Sequence, residues 1–145
     1  MASVNTYLNF KGQAEEAFNS YKSVFGGEFD GDGISRMKDM PPQEGMPELP
    51  DSEKDWIMPV SLPILGGHRL MGSDVPEAMG DLKVGNNVYI SLQPDTRGET
   101  DKLFKALGEG GNVTMQLQDM FWGDYYGTLT DKFGVCWMFN YGKNV

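Results

Sequence analysis

Apolar and polar residues alternate along Asn5-Thr6-Tyr7-Leu8-Asn9-Phe10, which puts Leu8 and Phe10 on one side and Asn5, Tyr7 and Asn9 on the other. A period of two predicts a half-buried strand. The pattern returns in Asn87-Val88-Tyr89-Ile90-Ser91-Leu92, again opening Asn-x-Tyr, so the chain carries an internal repeat. After the first strand, Ala14, Ala17, Phe18, Tyr21, Val24 and Phe25 recur at helical spacing until Gly26-Gly27 stops them. After the second, Leu103, Phe104 and Leu107 form a shorter stripe. Thr96 and Glu99 are spaced for a capping box before it, and Gly108, Gly110 and Gly111 end it. Gly66-Gly67-His68-Arg69-Leu70-Met71 and Phe133-Gly134-Val135-Cys136-Trp137-Met138 match as the turn and last strand of the two halves. Between helix and last strand each half has room for two more strands, at residues 28–37 and 56–64 in the first and at residues 112–118 and 125–130 in the second.

Each half therefore reads β-α-β-β-β. One such unit leaves a sheet face bare, so two are expected to pack together. The expected class is α+β, a single domain of two tandem modules: the first over residues 4–74, a linker over 75–85, the second over 86–141. The first half also carries a proline- and acid-rich stretch from Met40 to Asp51, expected as a loop. Long loops in compact domains are often functional, which makes residues 40–55 a candidate lid.

Composition narrows the partners. The 145 residues include 39% hydrophobic and 23% charged ones, enough to build a core. A net charge of −9 repels the phosphates of nucleic acid and of anionic membranes, so neither is an expected partner. No apolar run reaches the ~20 residues a membrane span needs. The first residues are neither basic nor apolar, so a cytoplasmic location is expected. A lone cysteine, Cys136, excludes an internal disulfide and a multi-cysteine zinc cluster, and a lone histidine, His68, leaves little for imidazole chemistry.

Particular residues carry a resemblance across nearly the whole chain. They are Tyr7-Leu8-Asn9-Phe10 with Gly12, Ala14-Glu15-Glu16-Ala17-Phe18, Tyr21-Lys22-Ser23-Val24-Phe25-Gly26-Gly27, Leu70-Met71-Gly72-Ser73-Asp74 and Gly85-Asn86-Asn87. The most specific stretch is Gln118-Asp119-Met120-Phe121-Trp122-Gly123, running through Tyr126-Gly127, Asp131 and Phe133-Gly134 to Trp137. With the duplicated β-α-β-β-β plan, this resembles the PhnB-like branch of the vicinal oxygen chelate superfamily, the glyoxalase, bleomycin-resistance and dioxygenase group. The resemblance implies a curled eight-stranded mixed sheet around a cleft, helices outside, in a homodimer. Some PhnB-like chains are named demethylubiquinone methyltransferases. This chain shows no glycine-rich nucleotide loop at a strand-to-helix junction and no Rossmann unit.

In metal-dependent members of the superfamily, each half supplies ligands from the start of its first strand and from its last strand. On this chain the resemblance places those positions at Asn5, Met71, Asn87 and Met138. A divalent ion takes hard oxygen or imidazole donors, with carboxylates to offset its charge. Two amides and two thioethers supply neither carboxylate nor imidazole, so no metal and no cofactor is expected, and no residue is assigned to catalysis. Methionines there fill irregular space. Where PhnB-like chains often carry a His, this chain has Pro59. With Pro63 it removes ladder donors, so that strand is expected at a sheet edge or distorted.

The expected ligand-binding residues are Asn5, Tyr7, Arg69, Met71, Asn87, Tyr89, Gln118, Trp122, Tyr126 and Met138, with Asn9, Ser91 and Gln116 of the same parity. Apolar walls with a few polar groups suit a small organic molecule. Arg69, as the cation among them, points to an anionic one. The same residue types also enrich dimer interfaces, so both readings stand. His68, in a turn, is expected to be exposed. Cys136, without a His beside it, is expected as a packed thiol. Glu15 and Glu16 suit a helix start, and Asp74, Asp119 and Asp131 suit turns and caps. Trp137 and Phe139 are expected in the core, on the helix side. The function implied is a metal-free small-molecule binding or sequestering protein. The alternatives are a glyoxalase- or dioxygenase-like enzyme with an atypical metal site, or a homodimeric interaction module without a ligand.

Overall fold

In a computed structural model that describes residues 2–41, 44–45 and 47–142, the first alternating segment is strand β1, Thr6–Phe10. Helix α1, Ala14–Phe25, follows and buries Ala14, Ala17, Phe18 and Tyr21. Gly26 ends it at φ 78°, its N–H donating to the Lys22 carbonyl at 2.8 Å. The helix start is capped from afar. Gln13 makes no side-chain cap bond; instead Asp74, at the end of β3 (Arg69–Asp74), accepts from the Ala14 N–H at 3.0 Å and the Ile57 N–H at 2.9 Å while itself buried. Its capping role is real, but it serves a helix 60 residues away rather than its own turn.

Strand β2, Val60–Pro63, completes a three-stranded sheet in the order β1-β3-β2, with β1 and β3 parallel and β2 antiparallel to β3. Phe10, Val60, Leu62 and Leu70 are buried on the face that α1 covers. Gly72 lets the helix approach: a Cβ there would lie 2.7 Å from both the Leu8 carbonyl oxygen and the Phe18 ring.

The strand expected at residues 28–37 does not form. Gly31 and Gly33 sit at φ 60° and 85°, the Gly33 N–H closes a turn onto Asp30 at 3.2 Å, and only Arg36 makes an isolated bridge, to Ile57. Left-handed glycines and a turn-forming Asp cannot run as a ladder. The segment lies along the outer edge of β2 instead, with Asp30 N–H on the Ser61 carbonyl (2.9 Å) and Ser35 N–H on the Pro59 carbonyl (3.4 Å). The strand expected at 56–64 contracts to β2, which begins after Pro59 and is an edge strand, as its prolines require. Residues Pro42, Gln43 and Met46 of the expected loop lie outside the described residues. Its later part is tied down: Lys38 N–H bonds the Lys54 carbonyl at 2.9 Å, Lys38 Nζ reaches Asp55 at 2.8 Å, and the buried Glu53 accepts from the Glu77 N–H at 3.1 Å.

The chain divides into two units between Lys83 and Val84. The second has the whole β-α-β-β-β order: β4 Ile90–Leu92, α2 Arg97–Gly108, β5 Asn112–Asp119, β6 Tyr125–Thr130 and β7 Cys136–Tyr141. Its sheet runs β4-β7-β6-β5, with β4 and β7 parallel. The Thr96 hydroxyl accepts from the Glu99 N–H at 3.0 Å, as the capping spacing predicts. Leu103, Phe104 and Leu107 of α2 bury with Leu129, Trp137 and Phe139, and the Phe104 and Phe139 rings meet edge-on at 5.1 Å. Asp131 is buried and accepts from the Phe133 and Val135 N–H groups (2.9 and 3.0 Å) and from the Trp137 indole (2.9 Å), so it closes the β6–β7 turn and anchors the core. Among the described residues, seven strands thus stand in two mixed sheets where eight were expected, and no helix is long and apolar enough to cross a membrane.

Candidate functional site

In the first unit, register places the candidates on the sheet face opposite α1. Tyr7 stands beside Met71, which stands beside Ser61, and Arg69 pairs with Pro63. The Tyr7 hydroxyl donates to Ser73 Oγ at 2.9 Å while the ring stays 47% exposed. Asn5, one residue before β1, accepts from the Arg69 N–H through Oδ1 at 3.1 Å. Four of the expected residues, Asn5, Tyr7, Arg69 and Met71, therefore share one face.

Arg69 is not a free cation there. Its Nε lies 3.0 Å from Asp30 Oδ2, which also accepts from the Ser61 hydroxyl at 2.7 Å. The Ser61 hydroxyl and the Arg69 guanidinium together hold the Asp30 carboxyl below the usual carboxylate range. The pair is locally neutral, which removes the reason to expect an anionic ligand. His68 also departs from expectation: it is half-buried, with Nε2 2.8 Å from the Thr6 hydroxyl. Gly66 and Gly67, at φ 67° and 79°, turn the chain so that its ring comes against the start of β1.

In the second unit the uncovered face carries Gln118 opposite Tyr126, and Met138 between Thr128 and Ser91. Trp122 meets Tyr126 edge-on, ring centres 6.0 Å apart. Asn87 and Tyr89 lie ahead of β4 and take no part in its ladder. Two register shifts in β5, around Met115, put Met115 opposite Thr128 and break the alternation that assigned Gln116. Cys136 is buried, its Sγ 3.8 Å from the Thr130 hydroxyl.

Parity reasoning missed the cluster at the open end of this sheet. Arg97 grips Asp119 with both guanidinium arms at 2.8 and 3.0 Å and lies 3.8 Å over the Tyr125 ring. The Tyr125 hydroxyl donates to Asp101 at 2.5 Å. The Arg97 fork draws the Asp119 carboxyl below its usual range, and the Asp101 carboxylate pushes the Tyr125 phenol up. Asp119 thus ties β5 to α2 rather than bracing its own hairpin. One signal was present: a cation in the first helical turn opposes the dipole and needs an acid beside it.

The donor set does not fit a divalent ion. Of the four positions that the resemblance assigns to ion ligation, Asn5 spends its amide oxygen on a backbone N–H, and Met71, Asn87 and Met138 carry thioether or amide groups. Among the described residues, no three His, Cys, Asp or Glu side chains gather as a ligand set. A nucleoside-type turn fits no better. Asp74 already fills the start of α1, and the Trp56 ring lies 3.3 Å from where a Gly12 Cβ would stand.

Comparison with known proteins gives one consistent result. The family described as 3-demethylubiquinone-9 3-methyltransferase matches residues 2–139. Protein YjdN of Escherichia coli is 28% identical over 97% of this chain and 95% of its own. The crystal structure of protein PA1353 from Pseudomonas aeruginosa superposes with a TM-score of 0.83 at 35% identity, covering 98% of both chains. A PhnB protein from Bacillus cereus follows at 0.74 and 25% identity, over 97% of this chain and all of its own. A glyoxalase, bleomycin-resistance and dioxygenase domain from Frankia shares the fold at 0.65 and 11% identity, over 99% of this chain and 93% of its own.

Proposed function

The chain belongs to the family described as 3-demethylubiquinone-9 3-methyltransferase, a PhnB-like relative of the glyoxalase and bleomycin-resistance proteins, and from that membership we propose that it binds a small organic molecule without a metal ion. The observation that carries the reading is the chemistry at Asn5, Met71, Asn87 and Met138, where amides and thioethers stand at the superfamily's ligand positions. Each unit's uncovered sheet face offers groups that a ligand site needs: the Tyr7 ring and the Met71 thioether in the first, and the Trp122 and Tyr126 rings, the Met138 thioether and the Gln118 amide in the second. With Arg69 paired to Asp30, the ligand is a neutral, partly aromatic molecule. The proposal takes the chain as a homodimer, supported by the exposed Phe121 and Trp122, residue types that interfaces enrich.

A nucleoside methyl donor finds no cradle at the start of α1, which Asp74 and the Trp56 ring already fill. The test is elemental analysis of protein purified without chelators, with a thermal-shift screen of neutral aromatic compounds. Substoichiometric metal and a stabilising hit weakened by Tyr126→Ala support the reading. A stoichiometric divalent ion whose removal abolishes binding overturns it.

A further inference from the structure

Where the β5–β6 hairpin meets the end of β7, the second unit holds an open hollow of about 390 Å³. Its walls are the rings of Trp122, Tyr125 and Tyr141, the carboxylates of Asp119 and Asp124, and Arg97. Three of these are already engaged. Arg97 spends both arms on Asp119 and covers the Tyr125 ring. What faces a ligand is therefore the Trp122 and Tyr141 rings and the Asp124 carboxylate.

Among the described residues, the Asp124 carboxylate accepts one bond, from Asn140 Nδ2 at 3.2 Å to Oδ2. Its other oxygen packs against Gly142, in the space that a Cβ there would fill. Among the described lining residues two carboxylates stand against one guanidinium, on a chain that is itself at −9. Aromatic faces attract cations through their quadrupole, and a carboxylate beside them completes the match. A bare divalent ion would find too few oxygen donors, since Asp119 is bound to Arg97. An anion would find Arg97 spoken for.

We propose that this hollow binds a small organic cation, of the alkylated-ammonium type, between the Trp122 and Tyr141 rings with Asp124 as its counter-charge. The hollow shares Trp122 with the face proposed for the neutral ligand, but Tyr141 and Asp124 belong to the hollow alone, so the inference does not rest on that reading.

The test is a two-dimensional amide and indole NMR titration of the full chain with tetramethylammonium chloride, against sodium chloride at matched ionic strength. Saturable shifts are expected at the Trp122 indole and around Asp124 and Tyr141, absent with sodium. Asp124→Asn is expected to weaken binding about tenfold, and Trp122→Ala to abolish the saturable shifts. Gly142→Ala keeps the test valid if either variant misfolds, because its methyl would take the place of the Asp124 carboxylate and should also weaken binding. Shifts that fail to saturate, that sodium reproduces, or that survive both Asp124→Asn and Gly142→Ala overturn the proposal. A negative result here leaves the metal and neutral-ligand measurements untouched.

Discussion

Asp74 carries more of the first unit than its place at a strand end suggests. It is buried and holds two backbone N–H groups, one starting α1 and one leading into β2. Asp74→Ala strands both donors, at a cost of ~1–3 kcal/mol each, so the urea midpoint is expected to fall by the equivalent of about 3 kcal/mol. Asp74→Asn keeps one acceptor and should fall by less. Equal midpoints for wild type and Asp74→Ala would contradict this role. The residue type was legible in the chain, because Asp before Val75-Pro76 reads as a cap, but the capped partner was not. Nothing in local spacing links residue 74 to residue 14. Arg69 teaches the same lesson. Parity placed it on the right face, while its neutralisation by Asp30 came from a segment expected to be a strand. Arg69→Ala is accordingly expected to leave the affinity for a neutral hit within about twofold, since exposed ion pairs contribute little; a larger loss, read by isothermal titration, would mean that the guanidinium touches the ligand.

At the scale of elements, both helices follow from periodicity, and so do the core positions of Trp137 and Phe139; the glycine stop holds for α1 at Gly26, while α2 runs through Gly108 and caps at Glu109. The missing strand at residues 28–37 was foreshadowed by Gly31-Asp32-Gly33, whose turn chemistry outweighs the space available. The β5 register shifts were not foreshadowed, because a bulge is settled by the partner strand. Helix approach depends on small residues. Gly72→Ala drives a methyl onto the Leu8 carbonyl and the Phe18 ring, and overpacking of that kind costs ~1–3 kcal/mol; an unchanged thermal midpoint would show that α1 shifts freely. The Arg97–Asp119 link between α2 and β5 sets a pH dependence. The folded carboxyl titrates below its unfolded value of ~3.9, so the link is fully present above that value and is lost as pH falls through the folded one. Tyr125 has the opposite sign: its phenol is raised by Asp101, so that contact persists below the ordinary phenol value and is lost as pH rises through the folded one. Carbon-detected NMR titration of the Asp119 carboxyl and the Tyr125 ring checks both directions, and unshifted midpoints would contradict the geometry.

For the molecule as a whole, the α+β class and the family were legible because they rest on long patterns spread over the chain. Residue placement across each sheet was legible where alternation is strict, as at Tyr7 and Met71, and lost where loops or bulges intervene, as at Asn87 and Gln116. The ligand was not legible at all, since a lining of rings, thioethers and amides selects a chemical class and not a compound. The central claim is that this chain holds its organic ligand with no ion between them. Native mass spectrometry of protein purified without chelators tests it most directly, in one spectrum that reports assembly, metal and carried molecule. The account predicts a dimer mass with no added metal and, where a ligand is carried, the excess mass of an organic compound. A mass excess of one divalent ion per chain, lost together with ligand binding on chelation, would contradict it.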